Sequence, residues 1–269
     1  MLRFSGAGVT DVGLVRDHNE DSAFVGPYVA LVADGVGGAA AGEIASATTT
    51  YAVSAQAIAR PDDDPVEVLG EAVTFARNQL LQGVAHDVRR TGMATTLTAV
   101  ATDGTRVVMA HVGDSRAYLL HQGRLAQLST DHTYVHQLVM QGHLTAAQAR
   151  IHPWKNVVLR ALPGAEIGQV EDADVLELEV ELGDRLLLCS DGLSDLVTDD
   201  EIAEGLRVAD PQSAAATLVE RALEAGGVDN ITCVVLDVID GPRVVGDGVL
   251  LGAVRDLANV VDPAAVRTS

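Results

Sequence analysis

The sequence predicts an α+β fold in which antiparallel strands are packed under helices. Three observations carry that reading. Short runs rich in Val and Leu, bounded by Gly or Asp, recur along the chain as strand candidates. Dipeptides that tolerate positive φ, Asp103-Gly104 and Gln122-Gly123, sit between neighbouring runs as hairpin turns. The helical segments arrive in pairs, so the one-to-one alternation that builds a parallel doubly wound sheet is absent.

In chain order, strands are expected at residues 29–33, 97–102, 106–112, 117–121, 185–189 and 231–238. Apolar residues at helical spacing predict two adjacent helices, about 40–60 and 66–88, parted by Arg60-Pro-Asp-Asp-Asp-Pro65. Two more, 200–206 and 211–225, follow later, the second with Asp210 as N-cap and Pro211 in its first turn. Residues 134–154 mix polar and apolar side chains and suit a small helical excursion that could serve as a lid. One domain is expected over residues 1–240, with 241–269 as a loosely attached tail of unassigned role.

With 48% apolar and only 3% aromatic residues, the core must be built from Ala, Val, Leu and Ile, and disorder is excluded. The formal charge of −20, with no compensating Lys/Arg cluster, argues against a nucleic-acid partner. The N-terminus has no basic flank and apolar stretch, and no apolar run reaches membrane-spanning length, so a cytoplasmic, monomeric protein is expected. Cys189 and Cys233 each lie in an apolar run without metal-type spacing and read as core residues, as does His111. Trp154 and Met140 are also expected to pack, and His132 and His152 to occupy loops.

The aspartates carry the chemistry. Asp34, Asp114, Asp191 and Asp229 each fall at the edge of a strongly apolar segment. Asp34-Gly35, Asp191-Gly192 and Asp229-Asn230 could each be a simple turn, and any one alone is more often that than a site. Four together differ, because carboxylates converging at strand ends repel one another unless cations neutralise them, and hard oxygen ligands suit Mg2+ or Mn2+. A water bridging two such ions loses a proton near neutral pH, and the ions neutralise phosphoryl oxygens, so phosphoester hydrolysis is the natural reaction. Arg16 can clamp phosphate through bidentate contacts, and Glu20 and Asp21 can hold the waters around the ions. Asp195 could support the same cluster or begin a helix.

Two other patterns fail in context. Gly35-Val-Gly37-Gly-Ala-Ala40 satisfies a dinucleotide-binding fingerprint, but a second helix follows where a parallel strand is needed. Gly113-Asp-Ser115-Arg-Ala lacks the second glycine and the helix of a nucleophile elbow.

Taken in order, Gly13-Leu-Val-Arg16-Asp-His-Asn-Glu20-Asp21-Ser22, Asp34-Gly-Val-Gly-Gly38, Thr95-Thr96, Val112-Gly-Asp114-Ser-Arg116, Leu128-Ser-Thr-Asp131-His132, Asn156-Val-Val-Leu-Arg160, Ser190-Asp191-Gly192 and Asp229-Asn230-Ile-Thr closely resemble the metal-dependent serine/threonine protein phosphatases of the 2C type, in their short bacterial form. The resemblance covers residues 10–238. It implies a four-layer αββα sandwich, two antiparallel sheets flanked by helices, with a flap at residues 134–154 beside the site. It implies that Asp34 bridges two core Mn2+ or Mg2+ ions, with the Gly35 carbonyl on one and Asp191 and Asp229 on the other. Asp114 matches the residue that binds a third ion with Asp191. Arg16 matches the phosphate-binding arginine, while Glu20 and Asp21, grouped here with Asn230, match the acidic pair lying behind the ions. The expected substrates are phosphoserine and phosphothreonine proteins made by a serine/threonine kinase.

Val36 stands where some members carry a histidine proposed as general acid, and Ala94 stands where a glycine is usual before the paired threonines. The second function considered is a catalytically silent module that binds phosphoproteins or regulators on the same fold. The retained acids Asp34 and Asp229 argue against it.

Overall fold

The computed structural model describes residues 1–36, 41–163, 173–246 and 248–265. The chain opens with β1 (Leu2–Asp11), β2 (Asp21–Val25) and β3 (Val29–Val36), followed by α1 (Gly42–Ala59) and α2 (Pro65–His86). A run of strands comes next: β4 (Ala94–Thr95), β5 (Leu97–Thr102), β6 (Val107–Val112), β7 (Arg116–His121) and β8 (Arg124–Gln127). Two short helices, α3 (Tyr134–Met140) and α4 (Ala146–Arg150), precede β9 (Asp174–Leu178) and β10 (Arg185–Cys189). Then come α5 (Asp191–Ser194), α6 (Asp199–Gly205), α7 (Pro211–Glu224), β11 (Ile231–Asp240) and β12 (Val249–Gly252).

Among the described residues the strands form two antiparallel sheets. One runs β1-β11-β10-β7-β8 and the other β12-β2-β3-β5-β6-β9, with β4 added at the end of β3. Period-two alternation divides each central strand between two cores. Ala30 and Val32 of β3, Leu186 and Leu188 of β10, and Val234 and Leu236 of β11 fill the space between the sheets. The alternate residues point outward: Val29 and Leu31 meet α1 and α2, and Leu187, Cys189 and Val235 meet α6 and α7. The result is the four-layer αββα sandwich, with both faces of the central strands buried.

Local chemistry sets the helix starts. Asp64 accepts a hydrogen bond from Val66 N–H at 2.9 Å with Pro65 in the first turn, and Asp210 accepts from Ser213 N–H at 2.8 Å ahead of Pro211. The second cap is the one the sequence predicts.

The structure adds strands that the apolar-run pattern does not reveal. Four of these, β1, β8, β9 and β12, are the edges of the two sheets. An edge strand has a neighbour on one side only, so it carries polar and small residues in place of a continuous apolar run. Trp154 and Met140, expected to pack, are instead 57% and 74% exposed. The Trp154 ring lies over the flap itself, 5.5 Å from the Tyr134 ring and 5.8 Å from that of His152.

Residues 249–261, part of the stretch expected to be loosely attached, are integrated. β12 pairs with β2, and Ala253, Val254 and Val260 pack on Ala47 of α1. Val254 is fully buried, and its N–H donates to Ser22 Oγ at 3.2 Å. Truncating this side chain leaves a cavity, so Val254→Ala is expected to destabilise the protein by about 1–3 kcal/mol. Urea denaturation measures the loss; no change would mean that this segment contributes little to the fold.

Candidate metal centre

Register decides which acids meet. Asp21 on β2 and Asp34 on β3 are direct cross-strand partners, Asp21 fully buried and Asp34 half-buried. Asp114 follows β6, Asp191 opens α5 one residue beyond β10 and Asp229 precedes β11, so all five carboxylates arrive at one end of the sandwich.

Crowding and burial raise their proton affinity. Burial first, and then the charges of Asp21, Asp191, Asp114 and Asp229, hold the Asp34 carboxyl well above its ordinary range. Asp191 is raised in the same way, by burial and then by Asp114, Asp195, Asp229 and Asp21. Burial lifts Asp114 to about 7, with Asp131 and Asp195 adding to it. Burial lifts Asp21 to about 6, partly offset by hydrogen bonds to its charged form, one of them donated by Ser190 Oγ at 2.8 Å.

The surrounding backbone holds these acids in place. Asp34 N–H donates to Thr96 Oγ1 at 3.0 Å, Thr96 N–H donates back to Asp34 O at 2.9 Å, and Thr95 Oγ1 donates to the same carbonyl at 2.8 Å. Thr96 Oγ1 also meets Ser115 Oγ at 2.7 Å, tying β3 to the Asp114 turn. That turn needs Gly113 at φ 109°, where a Cβ would collide with the Thr96 side chain. Its Gly113 N–H donates to His132 Nδ1 at 3.1 Å, and His132 Nε2 lies 3.0 Å from Asp174 Oδ2 and 2.7 Å from Arg160 NH1. Asp131 accepts both Nε and NH2 of Arg116, at 2.9 and 2.6 Å. Gly192 is required by close approach, because a Cβ there would run into the Asn230 carbonyl.

Asn230 closes the Arg16 loop. Its side chain accepts from Glu20 N–H at 2.8 Å and donates to the Val12 and His18 carbonyls at 2.9 and 3.0 Å. Arg16 is half-exposed, and its guanidinium donates to Asp229 Oδ2 at 2.6 Å. The candidate arginine therefore stands against a candidate ligand, with its pKa raised by that hydrogen bond.

Two oxygens test whether the residues fit a cation. Asp21 Oδ1 and Asp114 Oδ1 are buried and accept no hydrogen bond. Orphaned, crowded carboxylate oxygens are costly alone and fit a hard divalent ion. Among the described residues, the ligand atoms of His18, Glu20 and Glu43 form the one trio lying within 4.8 Å of each other. The aspartates are more widely spaced, Asp229 being held by Arg16. Sequence reasoning found Glu20 and missed His18 and Glu43, since nothing in the spacing of Glu43 from residues 18–20 shows that α1 brings it back.

Residues 37–40, which complete the Asp34–Gly38 motif and the rejected dinucleotide pattern, lie outside the described residues. Ala94 lies in an ordinary β strand, so its side chain adds no backbone strain. His111 is a satisfied core residue, bonded to Thr98 Oγ1 at 3.0 Å and Thr130 O at 2.9 Å. Asp195 caps the C-terminal end of α5 instead of starting a helix and is bonded to Lys155 Nζ at 2.5 Å. A cavity of about 670 Å3 opens beside Asp114 and Asp191 and runs beneath the flap, past Arg116, His136, Arg150 and Lys155.

Two sheets closed by helix pairs, with buried aspartates gathered at one end, define a phosphatase 2C type of fold and site. The chain belongs to the family described as Protein phosphatase 2C, whose sequence profile matches residues 16–224. It is 40% identical to the serine/threonine protein phosphatase PstP of Mycobacterium tuberculosis over 100% of this chain and 52% of that protein. The chain thus spans about half the length of that relative. The serine/threonine phosphatase stp of Listeria welshimeri is 36% identical, over 85% of this chain and 93% of its own length. A crystal structure of Mycobacterium tuberculosis PstP/Ppp superposes with a TM-score of 0.81 at 40% identity, covering 88% of this chain and 100% of that one. The PstP catalytic domain in complex with two manganese ions gives 0.82 at 40% identity, covering 89% and 100%.

The raised carboxyls make stability depend on pH. Asp21 and Asp114 take up protons at about 6 and about 7 in the folded chain, against about 4 for an unfolded aspartate. The folded chain binds more protons between those limits, so this contribution is complete below the lower value and is lost as pH rises through the upper ones. In a chelating buffer the melting temperature is expected to fall from about pH 5 to about pH 8, and Asp114→Asn to flatten that fall. An unaltered slope would show that Asp114 ionises like an ordinary surface carboxylate.

Proposed function

We propose that the chain hydrolyses phosphoserine and phosphothreonine monoesters on proteins, with divalent ions held by its aspartates. The observation that carries this is the set of buried, like-charged carboxylates with two unpartnered oxygens, in a chain of the phosphatase 2C family. A relative carries two manganese ions. Asp34, Asp191 and Asp229, with the Gly35 carbonyl, would hold two core ions, and Asp114 with Asp191 a third. When bound, divalent ions supply a water of lowered pKa and neutralise phosphoryl oxygens.

The chain's own residues do the rest. If Asp229 turned from Arg16 toward Asp34 and Asp191, the guanidinium would be free for two phosphoryl oxygens. Asn230 holds the Arg16 loop and the Asp229 strand as one unit, so the arginine stays over the acids while it changes partner. Glu20 and Asp21 would accept hydrogen bonds from waters in the layer behind the ions. Val36 cannot transfer a proton, so the leaving serine or threonine oxygen must be protonated by water or by another group. No described helix is long and apolar enough to cross a membrane, and phosphoproteins made by a serine/threonine kinase in the cytoplasm are the proposed substrates of a monomer.

Phosphoserine and phosphothreonine peptides are expected to be dephosphorylated in Mn2+ and not in EDTA, with phosphotyrosine peptides poor substrates. Asp229→Asn should lower turnover by more than the roughly 10–100-fold typical of losing a residue behind a ligand, while the circular dichroism spectrum stays unchanged. No metal-dependent turnover from folded protein would favour a silent binding module.

For Arg16→Ala the expected change falls mainly in KM. Losing a charge-assisted contact costs about 1.5–3 kcal/mol, or roughly 10–100-fold in binding. An unchanged KM would remove Arg16 from the phosphate site.

A further inference from the structure

The chain has two cysteines, and the sheet sets them opposite each other. Cys189 ends β10, Cys233 lies near the start of β11, and the antiparallel register makes them direct partners. The flanking hydrogen bonds define the kind of pair. Val238 N–H donates to Asp184 O at 2.9 Å, and Ser190 N–H donates to Thr232 O at 3.1 Å. Hydrogen-bonded positions in an antiparallel ladder recur every second residue, so residues 184, 186, 188 and 190 are of that kind and Cys189 is not. Non-bonded pairs bring the two chains closest, with Cα atoms about 4.5 Å apart, inside the roughly 4.4–6.8 Å span of disulfides.

Both side chains leave the same face of the sheet, into the cluster formed with Leu187, Ile231 and Val235 under α7. Both thiols are free and fully buried.

We propose that Cys189 and Cys233 form an oxidisable dithiol that closes into an intrachain, cross-strand disulfide when a hydroperoxide reaches it. With hydrogen peroxide, one sulfur takes an oxygen as the O–O bond breaks, giving a sulfenic acid and one water. The second sulfur displaces the hydroxyl as another water and the S–S bond forms, so two thiols and one peroxide become one disulfide and two waters. The pair is enclosed, so reaction proceeds through opening of the β10 end of the ladder and is slow. The bond would lie just below the site, two residues before Asp191 and four after Asp229.

The test needs no assumption about catalysis. The folded full chain is treated with hydrogen peroxide, the excess is removed, and the protein is unfolded in an alkylating agent and weighed. The expected product is a monomer lighter by two hydrogens with neither thiol alkylated, both thiols returning after dithiothreitol, and a digest that links the two cysteine peptides. Cys189→Ala and Cys233→Ala should each leave one thiol that forms no intrachain bond. A repeat in mild urea, where the ladder opens often, removes access as a cause of failure. Two alkylatable thiols after both treatments, or oxygen added without loss of two hydrogens, would overturn the proposal. So would disulfides found only between chains.

Discussion

The structure is organised around one electrostatic constraint: like charges buried together at the end of two sheets. Asp21, Asp34, Asp114 and Asp191 raise one another's proton affinity or have it raised by burial, and the arginine charge felt at Asp114, that of Arg116, is itself ion-paired with Asp131. Among the described residues, Asp229 alone of the five has an ion pair, with Arg16. Such an arrangement persists only if the frame is rigid enough to prevent the acids from swinging out to water. The antiparallel registers supply that rigidity, because slipping β2 against β3 by one residue would turn Asp21 to the other face and set Glu20 or Ser22 opposite Asp34 in its place.

That division of labour explains why the motifs contain so many uncharged residues. Thr95 and Thr96 hold the Asp34 peptide, Ser115 joins it to the Asp114 turn, and His132 holds Gly113 from the other side. Ser190 spans from Asp21 to Thr232, so one hydroxyl links an acid on one sheet to the strand that follows Asp229 on the other. The acids are the visible part of the site, and the hydroxyls, amide and imidazole are what prevent them from relaxing apart.

This also determines what the sequence makes legible. Most central strands are buried on both faces and read as apolar runs, so β3, β5, β6, β7, β10 and β11 are recognisable, whereas the edges β1, β8, β9 and β12 are not, nor is the central β2, whose five residues open with Asp21 and Ser22. The candidate aspartates stand out because a carboxylate beside an apolar run is chemically unusual. The contacts of Arg16 with Asp229 and of Asn230 with Val12 and His18 bridge more than two hundred residues of chain, and Glu43 meets Glu20 only through the packing of α1. Residue types alone hold no record of those distances. The tail beyond residue 248 was obscure for a related reason: β12 is a four-residue edge strand whose partner, β2, starts with Asp21 and Ser22.

Charge then constrains how such a site could take an anionic substrate. A chain of net charge −20 repels phosphoproteins at long range, and the aspartate cluster by itself repels the phosphate. The nearby cations are largely committed: Arg16 to Asp229, Arg116 to Asp131 and Lys155 to Asp195. Under the proposed function, divalent ions would reverse the local sign before phosphate could be attracted, and if they drew Asp229 toward the other acids, Arg16 would be free to bind it. Cation binding and phosphate affinity would then be coupled through the Arg16–Asp229 ion pair. On that proposal the arginine at the rim would serve as counter-charge to Asp229 without ions and as a phosphate clamp with them.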